Sequence, residues 1–126
     1  MLKIITNNEH LFNKIKAGDF IKGSSLDVLV NVRNLVHSGS KILTHPLCGN
    51  LRPNHQPFRS VIIDERKGSV DLESLSIIEE AVRIYQSCRL LHPNEIDELT
   101  RNDYAYVDFE LMRESLMQYK LFKEGF

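Results

Sequence analysis

Short apolar runs alternate along this chain with longer segments in which apolar residues recur at helical spacing. The first run, Leu2–Thr6, is rich in β-branched residues and ends at Asn7 and Asn8, a pattern that predicts a strand followed by a turn or a helix cap. Further short apolar runs between turn residues also predict strands. The predicted strands cover residues 2–6, 20–21, 41–44 and 59–64.

Between the strands, apolar residues spaced three and four apart predict amphipathic helices. The strongest period follows Asp71, a residue type suited to cap the start of a helix. Ser24 and Asp27 form a second capping pattern, and Gly18 lies where the first helix would stop. The predicted helices cover residues 8–17, 25–37 and 71–89, with a helical turn at 95–99 and a final helix from about residue 108.

The alternation of strands and helices predicts an α/β fold, because parallel strands need crossover connections and a helix is the usual one. We expect a small three-layer domain with a mostly parallel sheet of about four strands, helices on both faces and a C-terminal helical extension. The direction of the fourth strand is left open. A single domain is expected to span residues 1–126, with the C-terminal helical segment at about 92–126.

Composition limits the classes of function. The 126 residues are 42% hydrophobic and 26% charged, as in an ordinary soluble domain. Sixteen basic and seventeen acidic residues give a net charge of -1 without a block of like charges, which argues against a nucleic-acid partner. No apolar run is long enough to cross a membrane, and the N-terminal segment does not resemble a secretory signal. We therefore expect a cytoplasmic protein that does not associate with membranes.

The two cysteines, Cys48 and Cys88, belong to no CxxC motif, and no pair of histidines at zinc-binding spacing accompanies them. We therefore expect no metal site. The sequence also lacks a GxGxxG motif and a P-loop, so no cofactor is predicted. Cys48 would act as a nucleophile only if a neighbouring group favoured its thiolate, and one cysteine among scattered histidines is weak evidence for that chemistry.

Polar residues follow the predicted strands where a parallel sheet would gather its ligand-binding loops. The candidate ligand-binding residues are Thr6, Asn7 and Asn8 after the first strand, Ser24 and Ser25 before the second helix, Thr44 and His45 after the third strand, and Gly49 and Arg52 in the loop that follows. Helix starts at this edge would offer unpaired N–H groups to an anion. The arrangement requires the first and third strands to run side by side in the same direction.

Each candidate also has a purely structural interpretation. Asparagines after a strand often serve as turn or cap residues, and serines before a helix often serve as caps. His45 precedes a proline, which favours an extended backbone, and its ring suits either a structural hydrogen bond or an acid–base role. Arg52 would either clamp an anion or form a surface ion pair. No catalytic residue is predicted.

Several runs of this sequence resemble the GrdX family. They are Ile4-Ile5-Thr6-Asn7-Asn8, then Leu26-Asp27-Val28-Leu29 with Val32-Arg33 and Val36-His37-Ser38-Gly39, and finally Leu43-Thr44-His45-Pro46-Leu47 with Gly49, Pro53-Asn54 and Pro57. The resemblance covers about residues 2 to 86. Members of that family are small proteins encoded beside the glycine reductase genes of amino-acid-fermenting anaerobic bacteria.

The resemblance implies an accessory protein of the glycine reductase system that binds either a reductase subunit or a small anionic metabolite. The family more usually has serine at the position of Cys48, which argues further against a thiolate nucleophile. The alternative interpretation is a small enzyme or metabolite sensor with a polar site around His45. Whether the chain is an enzyme is left open, and Phe122 and Phe126 near the C-terminus would suit a homodimer.

Overall fold

The computed structural model describes residues 1–47 and 55–123. Within these residues the chain forms four strands, four α-helices and a short 3-10 turn. The strands are β1 (Leu2–Thr6), β2 (Gly18–Phe20), β3 (Lys41–Ile42) and β4 (Ser60–Asp64). The helices are α1 (Glu9–Phe12), α2 (Ser25–His37), α3 (Leu72–Gln86) and α4 (Glu98–Gln118), and the 3-10 turn covers Pro93–Glu95.

The sheet is mixed, with the strand order β2-β1-β4-β3. β1 and β2 are parallel, whereas β4 is antiparallel to both β1 and β3. The expectation of a mostly parallel sheet is therefore wrong. Parallel strands need a crossover, and the sequence between the third and fourth strands has no helical period, so β4 runs back along the sheet. The first and third strands share a direction, but they are not neighbours because β4 lies between them.

The two faces of the sheet pack against different helices. Ile5, Val61 and Ile63 belong to one buried cluster with residues of α2 and α3. Ile4 and Ile62 belong to a second buried cluster with residues of α1 and α4. Because successive side chains of a strand point to opposite faces, the two clusters lie on opposite sides of the sheet.

Local signals set the bounds of α2 and α3. Ser24 Oγ accepts a hydrogen bond from Asp27 N at 3.2 Å, and Asp27 Oδ2 accepts one from Ser24 N at 2.9 Å. This capping box satisfies N–H groups that a helix start leaves unpaired, and the predicted helix over 25–37 is confirmed. The Asp71 side chain caps α3 by accepting from Ser74 N at 3.0 Å, and the helix ends earlier than the predicted residue 89.

The first helix is much shorter than the predicted 8–17. α1 has a single turn, because the chain that follows it joins other elements at once. Ile15 forms a bridge with Phe122, and Gly18 begins β2. Among the strands, β1 has the predicted bounds, while β2 begins earlier and β3 and β4 are shorter than predicted.

The last helix is longer than predicted and packs on the sheet. α4 is one continuous helix of 21 residues, not a turn at 95–99 followed by a helix from about residue 108. Its buried apolar residues begin only at Ala105, so its first turns carry no apolar period that sequence analysis could detect. Phe109, Met112 and Leu116 join the cluster on the α1 side of the sheet, which makes α4 part of the core rather than an extension.

Two glycines, one before β3 and one after β4, adopt backbone conformations that favour glycine. Gly39 has a φ of 115° and Gly68 a φ of 134°. A Cβ added at Gly39 would lie 2.7 Å from Gly68 N, whereas a Cβ added at Gly68 would have nothing within 4 Å. Both positions therefore require an unusual φ, but only at position 39 would a side chain also collide with the neighbouring turn.

We expect both Gly39→Ala and Gly68→Ala to destabilise the protein, with Gly39→Ala the more damaging. A strained φ costs roughly 1–3 kcal/mol at either position, and at Gly39 the contact with the neighbouring turn adds to that cost. Urea unfolding of the two variants measures the difference in free energy. Equal losses would show that the close approach of the two turns is relaxed at no cost.

Candidate functional site

A closed ring of hydrogen bonds joins the end of β1 to α4, and we call it the Asp108 ring. Asn8 N donates to Thr6 Oγ1 at 3.0 Å, and Thr6 Oγ1 lies 2.7 Å from Ser60 Oγ. Ser60 Oγ and Asn8 Nδ2 both donate to Asp108 Oδ2, at 2.8 and 2.9 Å. All four residues are buried. Since Ser60 gives its hydroxyl hydrogen to Asp108, Thr6 must donate to Ser60.

Burial raises the pKa of Asp108 above its ordinary value near 3.8. Three smaller effects oppose the shift: the hydrogen bonds from Asn8 and from Ser60, and the charge of Arg59. The second hydrogen of Asn8 Nδ2 goes to Ala105 O at 2.9 Å, and Asn8 Oδ1 accepts from Leu11 N. The ring thus fixes α4 and the start of α1 against the end of β1.

Asn7 performs a similar task on the other side of β1. Its Nδ2 donates to Gly23 O and to Pro57 O, both at 3.0 Å. Its Oδ1 accepts from Arg59 N at 3.0 Å. One buried carboxamide therefore connects the segment before α2, the segment before β4 and the end of β1. Because both amide hydrogens are used inside the protein, Asn7 shapes this region rather than offering a free donor.

Arg59 extends the buried polar region to α3. The side chain is only 3% exposed, and its Nε donates to Tyr85 Oη at 2.7 Å. Its guanidinium carbon lies 5.9 Å from the centroid of the Tyr85 ring. Burial raises the pKa of Tyr85, and Arg59 opposes that shift. A charged guanidinium and a neutral phenol thus lie together beneath the carboxyl end of β1.

A cleft of about 590 Å³ opens beside these residues, at the carboxyl ends of the parallel strands β1 and β2. This volume is within the range of small-molecule sites. Its walls come from the ends of both strands, from α1, from the 3-10 turn and from the first turns of α4. The lining residues include Asn7, Asn8, Glu9, His10, Phe20, Lys22, Phe58, His92, Asn94, Arg101 and Asn102.

The cleft carries more positive than negative charge. Among its described lining residues, Lys22 and Arg101 are full cations, and Glu9 is the carboxylate. Arg101 Nη1 donates to Pro93 O at 3.3 Å, which holds the guanidinium beside the 3-10 turn. Desolvation, with a smaller contribution from the charge of Lys14, lowers the pKa of His10, so its ring is neutral at pH 7 and offers both a donor and an acceptor. The arrangement suits a small ligand with a negative charge.

The structure brings together some of the predicted site residues. Asn7 and Asn8 line the cleft, and Thr6 lies behind them in the Asp108 ring. Ser24 and Ser25 are buried at the start of α2, where Ser24 makes the capping box. Ser25 Oγ is buried, and the structure gives it no hydrogen-bond partner. Neither serine lines the cleft, although Asn7 joins the adjacent Gly23 to it.

The residues after β3 lie elsewhere. Thr44 Oγ1 accepts from Ile62 N at 2.9 Å and so extends the pairing of β3 with β4. His45 is exposed, and its Nδ1 accepts from Leu47 N at 3.1 Å. Neither residue lines the cleft, since β3 and β2 are at opposite edges of the sheet. Gly49 and Arg52, like Cys48, lie outside the described residues.

The residues that give the cleft its charge, Lys22 and Arg101, are not among the site residues predicted from the sequence. Lys22 follows β2, and its place just beyond a parallel strand is a signal that could have been used. His92 and Arg101 line the cleft only because α4 packs beside the end of β1. No spacing in the sequence indicates that contact, because the hydrogen bonds that create it join Asn8 to Asp108 across most of the chain.

The described residues offer neither a metal cluster nor a membrane-spanning helix. Within residues 1–47 and 55–123, no three His, Cys, Asp or Glu side chains are grouped so that they could hold a metal ion. Over the same residues, no helix combines the length and apolar character needed to cross a membrane. Cys88 is exposed and has a free thiol.

We expect Asp108→Asn to change how stability depends on pH. The folded-state pKa of Asp108 is raised, so the native protein holds this proton to higher pH than the unfolded chain and loses stability as pH rises from near 3.8 through the folded pKa. Asparagine keeps an acceptor for Ser60 and Asn8 but does not titrate. Its stability relative to the original protein should increase over that interval, as measured by urea unfolding from about pH 4 to about pH 8.

Asp108→Ala is the matched control. It also removes the titrating group, but it leaves the donors of Ser60 and Asn8 buried without an acceptor, at a cost of roughly 1–3 kcal/mol at every pH. Stability curves for Asp108→Asn and the original protein that stay parallel across the pH range would contradict the assignment of a raised pKa.

Comparison with known proteins gives one match. No curated protein and no solved structure matches the chain. A family model described as GrdX-like protein matches residues 3–117, which is most of the chain and includes nearly all of α4. The resemblance seen in the sequence is confirmed, and it extends beyond residue 86. The chain belongs to the GrdX-like protein family.

Proposed function

We propose that this chain is a cytoplasmic accessory protein of the glycine reductase system of amino-acid-fermenting anaerobic bacteria, and that it acts by binding a small anionic metabolite. Membership of the GrdX-like family supports the first part of this proposal. The cleft at the carboxyl ends of β1 and β2 supports the second part.

The observation that carries the ligand class is the pair of cations in the cleft. Lys22 is exposed, and no ion pair or hydrogen bond within the described residues engages its ammonium group. Arg101 lies across the cleft with one hydrogen bond to a backbone carbonyl, so the rest of its guanidinium can bind a carboxylate or phosphate group. Within residues 1–47 and 55–123, two cations line the cleft against the one carboxylate of Glu9, and this balance favours an anion.

Neutral groups of the cleft complement the cations. His92, Asn94 and Asn102 can donate or accept hydrogen bonds, and the rings of Phe20 and Phe58 provide an apolar wall. Among the lining residues that the structure describes there is no serine, threonine or cysteine. The residues of the cleft therefore favour reversible binding over covalent chemistry on a hydroxyl or thiol.

We expect an anion of this class to raise the thermal stability of the protein, because a ligand that binds only the folded state stabilises it. Acetate, acetyl phosphate and inorganic phosphate are suitable anionic probes, and glycine, a zwitterion that also carries a carboxylate, is a fourth. Lys22→Gln should weaken binding of the active probe about tenfold or more, since a hydrogen bond to a charged group contributes roughly 1.5–3 kcal/mol. Isothermal titration calorimetry measures the change in Kd.

Lys67→Gln is the matched control. Lys67 is an exposed lysine in the turn after β4, and it does not line the cleft. It should leave the Kd unchanged. Failure of all four probes to bind, or equal binding by the Lys22 and Lys67 variants, would contradict the metabolite proposal. The link to the glycine reductase system is tested separately by purifying the native protein from an anaerobe, where co-purification of a reductase subunit would support it.

A further inference from the structure

One face of α4 carries large apolar side chains that the described residues leave uncovered. Leu99, Tyr106 and Met117 are 80%, 57% and 64% exposed. They are separate from the face of α4 that packs on the sheet through Phe109 and Met112. The helix therefore carries large apolar residues on two faces, and only one of these faces packs inside the described chain.

The uncovered face has the spacing of a coiled-coil seam. Exposed residues follow one another at intervals of four, three, four, three and four, which is the alternation of a and d positions in a heptad repeat. We call these six residues the α4 seam: Leu99, Asp103, Tyr106, Glu110, Arg113 and Met117. The seam is about 27 Å long at 1.5 Å per residue.

We propose that the α4 seam is the interface of a homodimer in which two copies of α4 pack antiparallel. The twofold axis passes at the level of residue 108, midway along the seam. In an antiparallel pair each a position faces a d position of the other helix. Leu99 of each copy then faces Met117 of the other copy. Such reciprocal contacts are what a twofold interface between identical chains requires.

The charges of the seam favour this arrangement over a parallel one. In the antiparallel pair, Asp103 faces Arg113 of the second copy, and the carboxylate of Glu110 faces the phenol of Tyr106. In a parallel pair in register, each charged residue would face its own copy, and three layers would hold like charges. Like charges in contact are unfavourable, whereas opposite charges at seam positions set the orientation of helix pairs.

The contacts of the Arg113 side chain agree with its pairing to Asp103 of the second copy. Its Nη1 lies 3.9 Å from Glu110 Oε1, and its guanidinium carbon lies 5.5 Å from the centroid of the Phe109 ring. The side chain is thus held beside the seam and meets Asp103 of the second copy there. Of the two C-terminal aromatic residues suggested by the sequence, Phe122 does not form this face, because its ring packs against that of Phe109 with the centroids 6.0 Å apart. Phe126 lies outside the described residues.

Cysteine cross-linking tests the antiparallel register. In a Cys48→Ser, Cys88→Ser background, the double variant Leu99→Cys, Met117→Cys should form a covalent dimer on mild oxidation. The two cysteines of one chain are about 27 Å apart and cannot bridge within it. Each single variant should stay monomeric on a denaturing gel, because the twofold axis separates identical positions by the same distance.

Thr100→Cys, Gln118→Cys is the matched control. Both residues are exposed on α4 at the same separation in sequence, but they point to a different side of the helix. Cross-linking of this pair to the same extent would mean that random collision explains the result, and it would overturn the proposal. Cross-linking of a single seam variant would indicate a parallel pair and would overturn it too.

A charge exchange tests the pairing without cysteines. Sedimentation velocity over a series of protein concentrations gives the dimer dissociation constant. Asp103→Arg alone and Arg113→Asp alone should each weaken the dimer at least tenfold, because each creates a like-charge layer. The double variant Asp103→Arg, Arg113→Asp should restore the original constant to within about threefold, because it restores the opposite charges in each layer.

Circular dichroism and thermal unfolding of each variant confirm that the monomer still folds. Three of the six seam positions are charged, so the dimer is expected to be a weak one of small area. An original protein that stays monomeric at the highest soluble concentration would overturn the proposal. So would a double variant that remains as weak as its parents.

Discussion

The buried carboxyl group of Asp108 is the constraint on which the rest of this structure depends. Burying a carboxyl group in the core of a small domain costs free energy unless it is hydrogen-bonded, and here Ser60 and Asn8 donate hydrogen bonds to it. Those two donors belong to β4 and to the cap of α1, while Asp108 belongs to α4. The polar contact therefore determines where the last helix meets the sheet, in a way that apolar packing alone would leave less specific.

The cleft exists because of that contact. Its one wall is the end of β1 with the loop that leads to α2, and its other wall is the start of α4. Asn7 and Asn8 fix the two walls by hydrogen bonds to Gly23 and Ala105. The same two carboxamides have no remaining amide hydrogen for a ligand, so the binding groups must come from the neighbouring cationic and neutral side chains. Residues that build the site and residues that meet the ligand are thus different.

Much of the fold could be predicted where local chemistry decides it. The start of α2 is set by the contact of Ser24 with Asp27 three residues later, and the start of α3 by Asp71. The direction of β4 does not follow from the strand itself, because β4 is as apolar as a parallel strand would be. The signal lies in the connection before it, which has no helical period. The predicted length of α4 was too short. Its first turns carry exposed Leu99 and Asp103, which are typical of neither a buried nor a fully solvated helix face.

The site was predicted in part for the same reason. Asn7 and Asn8 follow a strand directly, so their location at its end could be read from the sequence. Arg101 is brought to the same place by the packing of a helix nearly a hundred residues further along the chain, and no local pattern records that event. His45 was given weight because its sequence surroundings are unusual, but its strand lies at the opposite edge of the sheet from the cleft, and the sequence around His45 does not indicate the order of the strands.

The two outer strands of the sheet have a consequence for how the protein meets other molecules. β2 has three residues and β3 has two. Edge strands this short present few free backbone groups, so they give another chain little template for adding a strand. Aggregation through open sheet edges is thereby discouraged, and productive association is left to surfaces that side chains, rather than the backbone, can make selective.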